Sequence, residues 1–240
     1  MLTRLFTAAL IAGLIAGIAN AALQHFTTTP LILHAETFEG GDHQHGEQTA
    51  ASNETATAPA AGAEAEAEPW GPEDGIERLG FTTLSAVATG FGYALVLLAA
   101  MLLGATRISA RSGLAWGLAG FAAIGLAPAL GLPPELPGSA AADLGARQAW
   151  WFGTALLTAA GLWLALKVST PLTIALGLVL LVAPHIAGAP HPEGFSSPVP
   201  GELSGHFAAA SLVVHAVTWA LVGAVAGFLW QRGENNASPA

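Results

Sequence analysis

LGFTTLSAVATGFGYALVLLAAMLL, residues Leu79–Leu103, contains no Asp, Glu, Lys or Arg from end to end. A helix of about 20 such residues crosses a hydrocarbon core, so this stretch reads as a transmembrane span. Working outward from it, five more apolar runs have the same character: Leu5–Leu23, Gly113–Leu132, Trp150–Leu166, Pro171–Gly188 and Phe207–Trp230. The chain is 53% hydrophobic and only 10% charged, which argues against a soluble globular domain. The expected fold is therefore an all-α polytopic membrane bundle, one membrane domain over residues 1–240 with about six transmembrane helices.

The charges between the spans give the topology. Arg4, Arg107, Arg111, Lys167 and Arg232 fall on one side, whereas only Arg78 and Arg147 fall on the other. The positive-inside rule makes the first side cytoplasmic, together with both termini. Fifteen of the 16 acidic residues then lie outside. A net charge of −9 excludes nucleic acid as a partner and suits the attraction of cations. The chain has no cysteine, so disulfides and thiolate ligation are absent. It has no glycine-rich phosphate loop, no HExxH and no GxSxG, so an enzyme is not expected. No Asp or Glu sits inside a span, which leaves the energy source open.

Two alternatives stand at the first helix. Arg4, the apolar run and Ala19-Asn20-Ala21 fit a cleaved secretory signal. The run continues to Leu23, however, and Gly13 with Gly17 forms a small-residue face of the kind that packs membrane helices. A retained helix is the expectation. Gly113 with Gly117, and Gly223 with Gly227, repeat that spacing and read as packing faces.

The external segment from Gln24 to Arg78 divides in three. Gln24–Glu39 is mixed, with His25, His34 and Glu36 around a Thr29-Pro30 turn. Gly40–Pro69 has almost no bulky apolar residue and reads as a disordered acidic tether. His43 and His45 lie in it, suited either to loose metal capture or to simple solvation. Trp70–Arg78 leads into the second span. Trp150 and Trp151 mark the outer boundary, and Trp116, Trp163 and Trp230 the inner one.

Imidazole with carboxylate or carbonyl oxygen suits cobalt, nickel or zinc. His25, His34 with Glu36, His185, His191 with Glu193, and His206 come from four chain segments that reach one membrane boundary. They are the candidate metal ligands, although any one interfacial histidine can equally snorkel or cap a helix. His215 lies about 13 Å deeper than His206 at helical rise. Near mid-bilayer an ionisable group faces a cavity or a partner, so His215 is either a transfer ligand or an interhelical hydrogen-bond donor. Ser211 and Trp219 share its face, and Asn20 is a further polar group inside a span. Thr82, Ser85 and Thr89 form a stripe that either lines a polar path or bonds back to its own helix.

Several stretches together resemble the CbtA family: TPLILHAETFE (residues 29–39), WGPEDGIER (70–78), FAAIGLAPALGLPPELPGSAAADLGARQAWW (121–151) and PHIAGAPHPEGF (184–195). The resemblance covers nearly the whole chain apart from the tether, and GLPPELPG with AADLGARQ is its most specific part. It implies a cobalt transporter subunit of a bacterial inner membrane, importing cobalt for cobalamin synthesis. It also implies a small single-helix, histidine-rich partner subunit. Cobalt would be cargo, with no prosthetic group, and homo-oligomerisation is left open. Members are described with five spans, one fewer than counted above, a difference attributed here to the first helix. A non-transporting scaffold or sensor that hands metal to another carrier is the alternative reading.

Overall fold

A computed structural model describes residues 1–45, 72–73, 75–194 and 197–236. Among these, seven helices form: α1 Leu2–Phe26, α2 Thr28–His45, α3 Ile76–Leu103, α4 Ala110–Ala129, α5 Leu144–Val168, α6 Pro171–Ala187 and α7 Gly201–Asn235. Five of them, α1, α3, α4, α5 and α7, are long and apolar enough to cross a membrane. The sixth apolar run became α6, at 17 residues the shortest. At 1.5 Å per residue it spans about 26 Å. It is the shorter apolar helix beside the five candidate spans, of which α1 is one.

Local chemistry sets the helix ends. At Thr27 the backbone turns out of helical geometry, separating α1 from α2. Pro30 then sits in the first turn of α2, where its missing N–H costs nothing. The segment read as a mixed loop around Thr29-Pro30 is therefore helical, and helix continues through His45, over the first residues of the expected tether. The rest of that tether lies outside the described residues. Reciprocal side-chain caps start two helices: Ser109 with Ser112 for α4, and Thr170 with Thr173 for α6. Asp143 caps α5 by accepting the Ala146 N–H at 2.8 Å. Ser169, in the left-handed conformation, closes the α5–α6 turn, and Pro171 opens α6. Pro128 has no N–H to give the Ile124 carbonyl. Just before it, α4 rewinds into π geometry over Ala122–Leu126, with the Ala127 N–H reaching the Ala122 carbonyl.

The glycine faces are where helices touch most closely. A Cβ on Gly113 or Gly117 would strike the backbone of Gly223 or Trp219, and one on Gly223 would strike Gly113, so α4 and α7 meet backbone to backbone. On the other side of the bundle, Gly13 and Gly17 lie against the backbones of Phe91 and Val87, bringing α1 onto α3. Lipid supplies no hydrophobic drive between helices, so such close van der Waals contact is what holds them. Gly161 and Gly177 pair α5 with α6 in the same way.

The core lies between α1, α3 and α7, where Ala9, Ala12 and Ala16 pack with Ala94, Leu98, Met101, Trp219 and Val222. Leu10, Leu14 and Ile18 of α1 and Leu172, Val179 and Ile186 of α6 face outward, as a lipid-contacting surface requires. At one end of the bundle Arg4 pairs with Glu234 at 3.4 Å, and Lys167 donates to Thr106 at 3.2 Å. This is the basic end, and the start of α1 meets the end of α7 there. At the opposite, acidic end a second small cluster of Ala35, Leu136 and Val199 ties α2 to the two short loops. The sharing of sides read from the charges is reproduced.

Candidate functional site: a polar cavity inside the bundle

Within the helices is a cavity of about 930 Å³ that extends from Glu135 and Arg147 at the acidic end to His215. Helical period explains its polar lining. Asn20 and Gln24 are one turn apart on α1, as are Thr89 and Tyr93 on α3, and Ser211 and His215 on α7. Three helices thus present stacked polar pairs to one space, while Ile124, Leu132 and Phe152 keep most of the wall apolar. At about 30 Å³ per molecule the volume equals that of about thirty waters.

A second cavity of about 470 Å³ lies beside it, and Asn20, Gln24 and Thr89 line both. Its other polar walls are Arg78, Thr82 and Ser85. Of the two readings of the Thr82, Ser85 and Thr89 stripe, lining a space is the one the structure reproduces. These hydroxyls make no hydrogen bond within the described residues, whereas Thr83 bonds back to the Leu79 carbonyl at 2.7 Å.

His215 is held by its own helix. The Trp219 indole N–H donates to its Nε2 at 2.8 Å, and the Tyr93 hydroxyl lies 3.4 Å from the same nitrogen. Tyr93 in turn stacks on Trp219, ring centroids 4.2 Å apart. Indole is a donor only, so Nε2 must accept and the proton sits on Nδ1 of a neutral ring. Nδ1 faces the π segment of α4; a Cβ on Gly125 would come within 3.0 Å of it. In this arrangement the ring has no free lone pair for a metal. It offers a hydrogen-bond donor instead.

The outer candidates stay apart. His25 is exposed with its ring edge against Phe26, and His34 is exposed beside Phe38. His185 packs against the Trp150 ring, while His191 and Glu193 lie exposed in the loop before α7. His206 lines a small apolar pocket with Leu23 and Thr27. Glu36 is engaged by Arg78 at 3.1 and 3.4 Å. Among the described residues no three His, Asp or Glu side chains gather as a metal-binding group, so the expected single shell is not assembled in this structure. The reason is geometric: sharing a membrane boundary fixes depth, but each residue also has an azimuth around the bundle.

Residues that the sequence reading passed over line the cavity instead: Gln24, Tyr93, Gln148 and the Glu135–Arg147 ion pair. Two had a visible signal. Gln24 lies one turn beyond Asn20, and Tyr93 continues the hydroxyl stripe one turn beyond Thr89.

A polytopic helical bundle with a cavity that polar residues of three helices line is an architecture suited to membrane transport. The chain belongs to the CbtA family, described as a probable cobalt transporter subunit, whose family model matches residues 2–231. No curated protein and no solved structure matches it.

Proposed function

We propose that the chain is the membrane-spanning permease subunit of a cobalt uptake system, and that it conducts the hydrated ion through the central cavity. The observation that carries this reading is the convergence of Asn20, Gln24, Thr89, Ser211 and His215 from three helices on one space that Glu135 and Arg147 of the acidic end also line. The acidic side is external in this reading and the basic side cytoplasmic, following the five-to-two distribution of basic residues. External carboxylates and histidines concentrate the divalent ion, and amide and hydroxyl oxygens then replace part of its outer hydration as it passes inward. His25, His34, Glu36, His185, His191, Glu193 and His206 act as separate weak collecting points. His215 orients water at the inner limit of the cavity. The chain is a transporter without catalytic chemistry or a prosthetic group. It resides in a bacterial inner membrane and works with a small single-helix, histidine-rich subunit. Cobalamin synthesis is the use of the imported metal.

Reconstitution into vesicles tests this directly. Radioactive cobalt should accumulate inside vesicles that contain the chain with its small partner. Cobalt bound to the protein but never moved inward would establish a metal-holding scaffold in place of a permease.

A further inference from the structure

Arg78 and Arg147 are the only basic residues on the acidic side of the chain. Each lines one of the two cavities, and each is paired with a carboxylate distant in sequence, Glu36 and Glu135. A fixed positive charge at the mouth of a cation path would repel the ion, unless the ion can displace it. We propose that the Glu135–Arg147 pair is a cation-exchange gate: the guanidinium occupies the Glu135 carboxylate at rest, and an incoming divalent cation takes its place. The proposal rests on the transport reading above.

Four features support it. Both side chains are a little over a quarter exposed. An ion pair that keeps this much contact with solvent can exchange with ions from solution. A divalent ion brings twice the charge of the guanidinium to the same carboxylate, whereas a monovalent ion brings no more and lacks the tether. The pair therefore selects by charge before any ligand geometry is read. Another carboxylate lies four positions before Arg147 in sequence, at Asp143, which caps the same helix. The pair is not the only anchor of its loop. Leu136, next to Glu135, is 3% exposed and packed with Ala35 and Val199, and Pro133 and Pro134 stiffen the approach.

The test is equilibrium dialysis of cobalt against the purified full chain, with Arg147→Gln, Glu135→Gln, the double variant and Arg147→Lys. Removing the tethered competitor should tighten cobalt binding by about twofold to fivefold, the weight of one partly exposed ion pair. It should also make binding sensitive to sodium chloride. Glu135→Gln should weaken binding, and the double variant should match Glu135→Gln, because without the carboxylate there is nothing to compete for. Arg147→Lys, which keeps the charge but loses the guanidinium Nη2 contact with Glu135, should fall between the parent and Arg147→Gln. It carries the test if Arg147→Gln does not fold. Binding by Arg147→Gln no tighter than the parent, a double variant that keeps the gain, or a parent that binds no cobalt would each overturn the gate. If the parent binds cobalt yet never moves it into vesicles, the transport reading fails while the binding series still judges the gate.

Discussion

His215 shows how one hydrogen bond settles what a residue can offer. Because Trp219 is a donor only, the 2.8 Å bond uses the Nε2 lone pair and leaves a proton on Nδ1. A residue acting in this way is replaceable by another short side chain that can accept the indole N–H, as the Asn amide oxygen can. His215→Asn should keep stability within about 1 kcal/mol of the parent, whereas His215→Ala should lose roughly 1–3 kcal/mol by stranding the Trp219 N–H. Thermal unfolding followed by tryptophan fluorescence checks both. Cobalt binding from the outside should be the same in the two variants, with slower uptake in His215→Ala. A drop in binding for both would make His215 a ligand after all. The sequence placed this residue at the right depth and named Trp219 and Ser211 as face-mates. It left ligand and donor equally open, since that choice depends on where the indole nitrogen points.

At the scale of helices, the small-residue spacing was legible and its pairing was not. Gly113, Gly117, Gly223 and Gly227 announce close-packing faces, but only the folded bundle sets α4 against α7 with each glycine against the other's backbone. A backbone atom cannot swing aside as a side chain can. Gly223→Ala should therefore cost about 1–3 kcal/mol of stability through overpacking. Gly92→Ala on α3, where an added Cβ would meet nothing within 4 Å, should be neutral or stabilising by up to about 1 kcal/mol. Measuring unfolding of the two variants in one detergent makes the comparison; equal losses would sink the backbone-contact account. The shortness of α6 also belongs here. Gly188, at φ +83, ends it one turn after Pro184, whose carbonyl accepts the Trp150 indole N–H at 3.3 Å.

For the whole molecule, the Arg4–Glu234 pair and the Lys167–Thr106 bond gather the basic residues at one end, and the Ala35, Leu136 and Val199 cluster closes the other. Cysteines can be introduced singly because the chain has none. In intact cells an impermeant thiol reagent should label Gly194→Cys and should not label Gln231→Cys, both positions being exposed. The opposite pattern would reverse the orientation. The membrane spans, their shared sides and the acidic face could all be read from the chain alone. Lipid demands continuous apolar length from each span whatever its neighbours, and flanking charge acts on each loop separately. The meeting of Asn20, Gln24, Thr89, Tyr93 and His215 around one cavity, and the scattering of the outer histidines, depended on the tertiary structure. Periodicity says which residues share a helix face. Which face turns toward which neighbour is set by the close backbone contacts between helices far apart in sequence.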